Sequence, residues 1–140
     1  MKPAGAVTAS VLFLVACGDP TLTARRQGFR LVEKGAYQSL YRSDGTIERV
    51  VHDPNGDGKA DAIVLYAPTG TIRQAELDTD RDGTIDRWEY FESGTLVRVG
   101  SSRAKPGVPD YWERLGPDGT TVTHREYDDD GDGMIDRSVP

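Results

Sequence analysis

The chain has 140 residues, 17 lysines and arginines against 23 aspartates and glutamates, and a formal net charge of −6. That length suits one domain, and the acidic excess excludes the basic footprint a nucleic-acid partner requires. Hydrophobic residues make up only 36% and glycine fills 16 positions, which is too lean for a thick core and calls for another source of stability.

Residues 1–16 (MKPAGAVTASVLFLVA) have a basic start at Lys2, an apolar run over about 4–15, and small residues ahead of Cys17. The run is short for a membrane span and suits a secretory leader. Cys17 is the only cysteine, so it has no partner for an internal disulfide. Leu14-Val15-Ala16-Cys17 resembles a bacterial lipobox. The resemblance implies cleavage before Cys17, diacylglycerol on its sulfur and a further acyl chain such as palmitate on its amine. More than one chain makes a stable membrane anchor. Gly18, not aspartate, follows Cys17; by resemblance to enterobacterial sorting this implies the outer membrane over the inner. Loss of Lys2 with the leader takes the net charge from −6 to −7.

Residues 17–35 contain Pro20, Arg25, Arg26 and Arg30 and read as a lipidated N-terminus and tether with a local basic cluster. From 36 to 140 the sequence repeats. Gly45, Gly70, Gly94 and Gly119 are each followed by threonine, at spacings of 25, 24 and 25. A second series, Gly58, Gly83, Gly107 and Gly133, is spaced 25, 24 and 26, and each has an aspartate three residues on: Asp61, Asp86, Asp110 and Asp136. Two interleaved series sharing one period define internal repeats.

Within a unit, residues 87–92 (RWEYFE) read as a strand, Ser93-Gly94 as a turn and residues 95–100 as a second strand leading into an acidic loop. Residues 63–66 (IVLY) and 120–122 (TTV) carry the same β-branched and aromatic signal, and Asp-Gly or Ser-Gly between such runs is hairpin chemistry. The expected fold is mainly β: a meander or small solenoid of antiparallel hairpins joined by acidic loops. Trp88, Tyr90, Phe91, Tyr111 and Trp112 are the core candidates.

The fullest acidic loop, residues 78–89 (DTDRDGTIDRWE), has carboxylates at its first, third, fifth, ninth and twelfth positions and Gly83 at the sixth. A hard cation collects six to eight oxygens, so ligands recur at alternate residues, and glycine allows the sharp turn between them. Alternate aspartates repel one another unless something neutralises them, which distinguishes the pattern from ordinary Asp-Gly turns. The loop resembles those of EF-hands, dockerins and thrombospondin type 3 repeats. That resemblance implies calcium held by Asp78, Asp80, Asp82, Asp86 and Glu89 with the carbonyl of Thr84. Residues 53–61 (DPNGDGKAD) offer Asp53, Asn55, Asp57, the Lys59 carbonyl and Asp61. Residues 128–136 (DDDGDGMID) offer Asp128, Asp130, Asp132, the Met134 carbonyl and Asp136. Their twelfth positions are Val64 and Val139, as in the shorter thrombospondin-type pattern. Residues 102–110 (SRAKPGVPD) keep Gly107 and Asp110 but have Ser102, Ala104 and Pro106 where ligands stand elsewhere, and predict the same backbone path without metal. The flanks are about six residues long and rich in strand formers, so the helices of an EF-hand are not expected.

His52 and His124 have no nucleophile at a motif spacing, and there is no glycine-rich phosphate loop or zinc-ligand spacing. The expectation is a non-enzymatic, calcium-binding lipoprotein of the bacterial cell envelope, anchored to the membrane at Cys17, with calcium bracing successive hairpins. The alternatives are a calcium-dependent adhesion module with an envelope protein or polysaccharide as partner, or an accessory subunit of an envelope enzyme.

Overall fold

The computed structural model describes residues 28–140, and the lipobox with Cys17 lies outside them. Ten strands run in chain order: β1 (Arg30–Lys34), β2 (Tyr37–Tyr41), β3 (Ile47–His52), β4 (Ala62–Tyr66), β5 (Ile72–Leu77), β6 (Arg87–Glu92), β7 (Thr95–Ser101), β8 (Tyr111–Leu115), β9 (Val122–Tyr127) and β10 (Arg137–Val139). They form one antiparallel sheet in which every strand pairs with its sequence neighbours, β1 to β10 without a crossover. This is the meander of hairpins expected from the repeats, and it is open. β1 takes in the end of the segment read as a tether. β9 begins at Val122, because Thr120 and Thr121 belong to the preceding turn.

A meander sends alternate connections to opposite ends of the sheet. The glycine–threonine turns all fall at one end and the acidic loops all at the other. At the turn end, Ser93 (φ 49°) and Gly94 (φ 82°) make a two-residue link with both central residues left-handed, which matches the twist of the flanking strands. The first two turns share one longer form, closed by Arg42 N–H to Thr46 O and Ala67 N–H to Thr71 O, and the last is one residue longer, closed by Gly116 N–H to Thr121 O, each at 2.8 Å. A register shift follows at the same place in all four hairpins, between Leu40 and Tyr41, Leu65 and Tyr66, Tyr90 and Phe91, and Arg114 and Leu115. The 25-residue period is therefore a β-bulge repeated every second strand.

No second layer covers this sheet among the described residues, so few side chains are buried. Trp88 and Trp112 are, at 6% and 5% exposure, together with Ala75; Tyr90, Phe91 and Tyr111 are only half-buried. The two tryptophans face each other across Gly100, which pairs with both. A Cβ on Gly100 would stand 2.8 Å from Trp112 Cδ1, so the glycine makes room for the indole. Glu126 pairs with Trp112 and is buried, with Arg98 Nη2 at 2.6 Å and Arg114 Nε at 3.2 Å. The Arg98 guanidinium also lies 4.6 Å from the Trp112 ring. A packed ion pair on an aromatic face substitutes here for part of a hydrophobic core.

Candidate metal-binding loops

The four loops stand side by side at one end of the sheet, each two strands and so roughly 10 Å from the next. Each is pinched shut where its ninth residue donates to the last residue of the strand before it: Asp61 to His52 O, Asp86 to Leu77 O, Asp110 to Ser101 O and Asp136 to Tyr127 O, at 2.8–3.1 Å. The second, third and fourth are also each tied to the loop before. Asp78 N–H donates to Asp61 O at 3.0 Å, Ser102 N–H to Asp86 O at 3.3 Å and Asp128 N–H to Asp110 O at 3.0 Å.

Inside the first, second and fourth loops the same hydrogen bonds recur. The first-position carboxylate receives two backbone donors: Asp53 from Gly56 and Gly58 (2.8 and 2.9 Å), Asp78 from Arg81 and Gly83 (both 2.7 Å), and Asp128 from Gly131 and Gly133 (2.6 and 2.8 Å). The third-position oxygen takes the fifth-position N–H: Asn55 from Asp57, Asp80 from Asp82 and Asp130 from Asp132, at 3.0–3.1 Å. The fifth takes the seventh: Asp57 from Lys59, Asp82 from Thr84 and Asp132 from Met134, each at 2.8 Å. Alternate side chains in these loops therefore fold back onto the chain. A carboxylate has about four lone-pair sites, so one or two N–H bonds leave capacity for a cation.

The convergence brings three carboxylates together twice. One oxygen each of Asp78, Asp80 and Asp82 lie within 4.8 Å of one another, and so do those of Asp128, Asp130 and Asp136. These two groups have the donor type and spacing to hold a metal ion, and an all-oxygen, multiply charged set suits calcium or another hard cation. Asp78 and Asp128 are each 6% exposed. Burial works to raise the Asp78 carboxyl, but the N–H groups of Gly83, Arg81 and Asp82 outweigh it and hold the group below the usual carboxylate range.

Of the remaining expected side-chain ligands, Asp86, Glu89 and Asp132 stand outside these trios, Asp136 takes in the fourth loop the place that Asp82 has in the second, and the first loop forms no such trio. Asp86 binds the Thr79 hydroxyl at 2.8 Å and faces the Thr79 N–H, and Asp136 receives the Asp129 and Asp130 N–H groups at 2.8 and 3.3 Å. The ninth aspartate thus braces the loop entrance from its second position. In the first loop that position is Pro54, which has no N–H to give, so Asp61 lacks this bond. Glu89 does not join the trio. In an EF-hand a helix winds the twelfth residue back to the ion. Here the chain enters an extended strand rising about 3.3 Å per residue, and Glu89 sits opposite Ala75 and Val99 with Arg87 Nε on its carboxylate at 2.8 Å.

The third loop keeps the ninth-position brace but not the carboxylate pattern inside it. Asp110 takes the Arg103 and Ala104 N–H groups at 2.9 and 2.6 Å, and the Ser102 hydroxyl donates to Lys105 O at 2.5 Å. Gly107 keeps the left-handed turn (φ 80°), yet no carboxylate trio forms there. Sequence reasoning missed the fourth loop position, which is left-handed in Gly56 (φ 71°), Gly131 (φ 77°) and, against its steric preference, Arg81 (φ 64°). The extra glycine at the fourth position of DPNGDG and DDDGDG, Gly56 and Gly131, was the available signal.

No family model matches the chain, and no curated protein matches it. Solved structures do. A crystal structure of accessory secretory protein 1, 2 and 3 in Streptococcus pneumoniae aligns over 72% of this chain and 19% of that one, at TM-score 0.53 and 20% identity. A TarM structure from S. aureus, in complex with Fondaparinux, alpha-GlcNAc-glycerol and UDP, aligns over 76% and 21%, at TM-score 0.54 and 9% identity. The chain spans about a fifth of each of these proteins, and at such identities the likeness is one of fold.

Proposed function

We propose that this chain is a calcium-binding lipoprotein of the bacterial cell envelope, tethered at Cys17, with the outer membrane as its place, and that calcium in the acidic loops braces the meander. The observation that carries the reading is the Asp78, Asp80 and Asp82 trio, matched in the fourth loop by Asp128, Asp130 and Asp136 within the same hydrogen-bond pattern. The first loop, with Asp53, Asn55, Asp57 and Asp61, is a third site of the same design. The role is structural, with no catalytic step.

A single-layer sheet with so few buried side chains gains little from a core, and each loop concentrates like charges. A cation bound only by the folded loops turns that repulsion into folding free energy. At about ten times Kd, each site adds roughly 1.4 kcal/mol. In a domain of this size that corresponds to a rise on the order of 5 °C per site. The test is thermal unfolding followed by near-UV circular dichroism of Trp88 and Trp112, in millimolar calcium and in EDTA. The expected result is a melting temperature lower by at least 5 °C in EDTA. Coincident curves would reject the bracing role.

A further inference from the structure

Large apolar side chains that stand exposed concentrate on the last two loops. Met134 is 69% exposed, Ile135 44% and Val108 39%; Val108 belongs to the third loop and the other two to the fourth. Between these loops lies a hollow of about 240 Å³. Lys105 and Val108 line one side of it, and Asp129, Asp130 and Gly131 the other. Lys105 is exposed and has no carboxylate within 4 Å among the described residues, whereas Asp129 is taken by Arg137 at 3.3 Å.

We propose that the third and fourth loops together form a calcium-dependent docking surface for anionic phospholipid headgroups, with Met134, Ile135 and Val108 entering the bilayer interface. The inference rests on the calcium reading of the fourth loop. That loop has Val139 at its twelfth position, so its side chains leave a hard cation short of a full shell. A phosphate oxygen from a lipid headgroup completes the shell. Lys105 on the facing wall attracts the same phosphate. Without the cation, Asp128, Asp130, Asp132 and Asp136 repel it, so docking switches with calcium. A bilayer is favoured over a protein because three side chains on two loop tips fall far short of the roughly 800 Å² per partner of a stable protein interface. A few apolar side chains added to electrostatic attraction are enough for interfacial membrane binding.

The test uses the full chain carrying Cys17→Ser, to remove the acylation site, and Pro106→Cys, labelled at the introduced thiol with an environment-sensitive fluorophore. Because the label sits at the tip of the third loop, attachment through the N-terminus leaves it in water. With phosphatidylglycerol-containing vesicles and millimolar calcium, the emission is expected to shift to the blue and rise several-fold. EDTA, or vesicles of phosphatidylcholine alone, should abolish the change. Adding Val108→Asp and Ile135→Asp, neither of which supplies a ligand atom, should weaken vesicle binding by at least about tenfold while calorimetry still shows calcium bound. An unresponsive label on a protein that binds calcium overturns the docking surface and leaves the calcium reading standing. A response that survives EDTA or the two added aspartates also overturns it. Absence of calcium binding removes both proposals together.

Discussion

Asp82→Asn separates a cation-binding loop from an acidic turn by the sign of its effect. Asparagine keeps the oxygen that accepts the Thr84 N–H at 2.8 Å, so the turn itself should survive. What changes is charge. Asp82 shares a site with Asp78 and Asp80, the oxygens lying within 4.8 Å of one another, and unit charges about 4 Å apart repel by about 1 kcal/mol even in bulk water. In EDTA, removing one of the three therefore stabilises the fold by about 1 kcal/mol, raising the melting temperature by roughly 4 °C. In millimolar calcium the same substitution also removes a charged ligand, and a hundredfold loss of affinity cancels nearly all of the roughly 1.4 kcal/mol the ion contributes, which exceeds the gain from relieved repulsion and leaves a net loss of about 0.4 kcal/mol. Melting temperature by near-UV circular dichroism, wild type against variant in both buffers, is the assay. A rise in EDTA and a fall in calcium is the expected pair. A change of one sign in both buffers would refute the reasoning.

Other substitutions probe the scaffold. Arg81→Gly places glycine where the backbone is left-handed at φ 64°, as Gly56 and Gly131 already are, and should stabilise the protein by about 1 kcal/mol in chemical denaturation. Gly100→Ala drives a Cβ to 2.8 Å from Trp112 Cδ1, so it should cost about 1–3 kcal/mol and perturb the near-UV tryptophan signal. Acid should destabilise the fold. The hydrogen bonds from Thr121 and Thr120 hold the Asp118 carboxyl far below the usual range, those from Thr46 lower Asp44, and the loop N–H groups lower Asp78. A depressed carboxyl contributes stability above its unfolded pKa of about 3.9 and loses it as pH falls through the folded value. Denaturation midpoints should therefore hold steady from neutral pH to about 5 and decline below about 4.

Much of this architecture could be read from the chain because each repeat uses residues with one dominant local meaning. Gly-Thr after a strand fixes a hairpin, and Gly83 with alternating aspartates fixes a folded loop, so hairpins, loops and their order were all legible. What was not legible depends on where the strands carry residues once the loop ends. Glu89 completes a twelve-residue motif in one dimension but leaves the site in three, because a strand and not a helix follows. Glu126 looks like a solvated strand residue until its neighbours Arg98, Arg114 and Trp112, on two other strands, enclose it. The bracing role of Asp86 and Asp136 depends on a backbone donor at the second loop position, and Pro54 shows how one residue removes it. Tyr90, Phe91 and Tyr111 were expected inside by composition, yet a single layer has no inside for them.

The claim that the acidic loops bind calcium is tested most directly by titration calorimetry of the metal-free protein, beside a variant carrying Asp78→Asn and Asp128→Asn. The account predicts saturable calcium binding at two or three sites with dissociation constants of about a millimolar or tighter, as in extracellular calcium modules. It predicts that the variant loses the sites of the second and fourth loops. No heat of binding at millimolar calcium, or an unchanged isotherm in the variant, would contradict it.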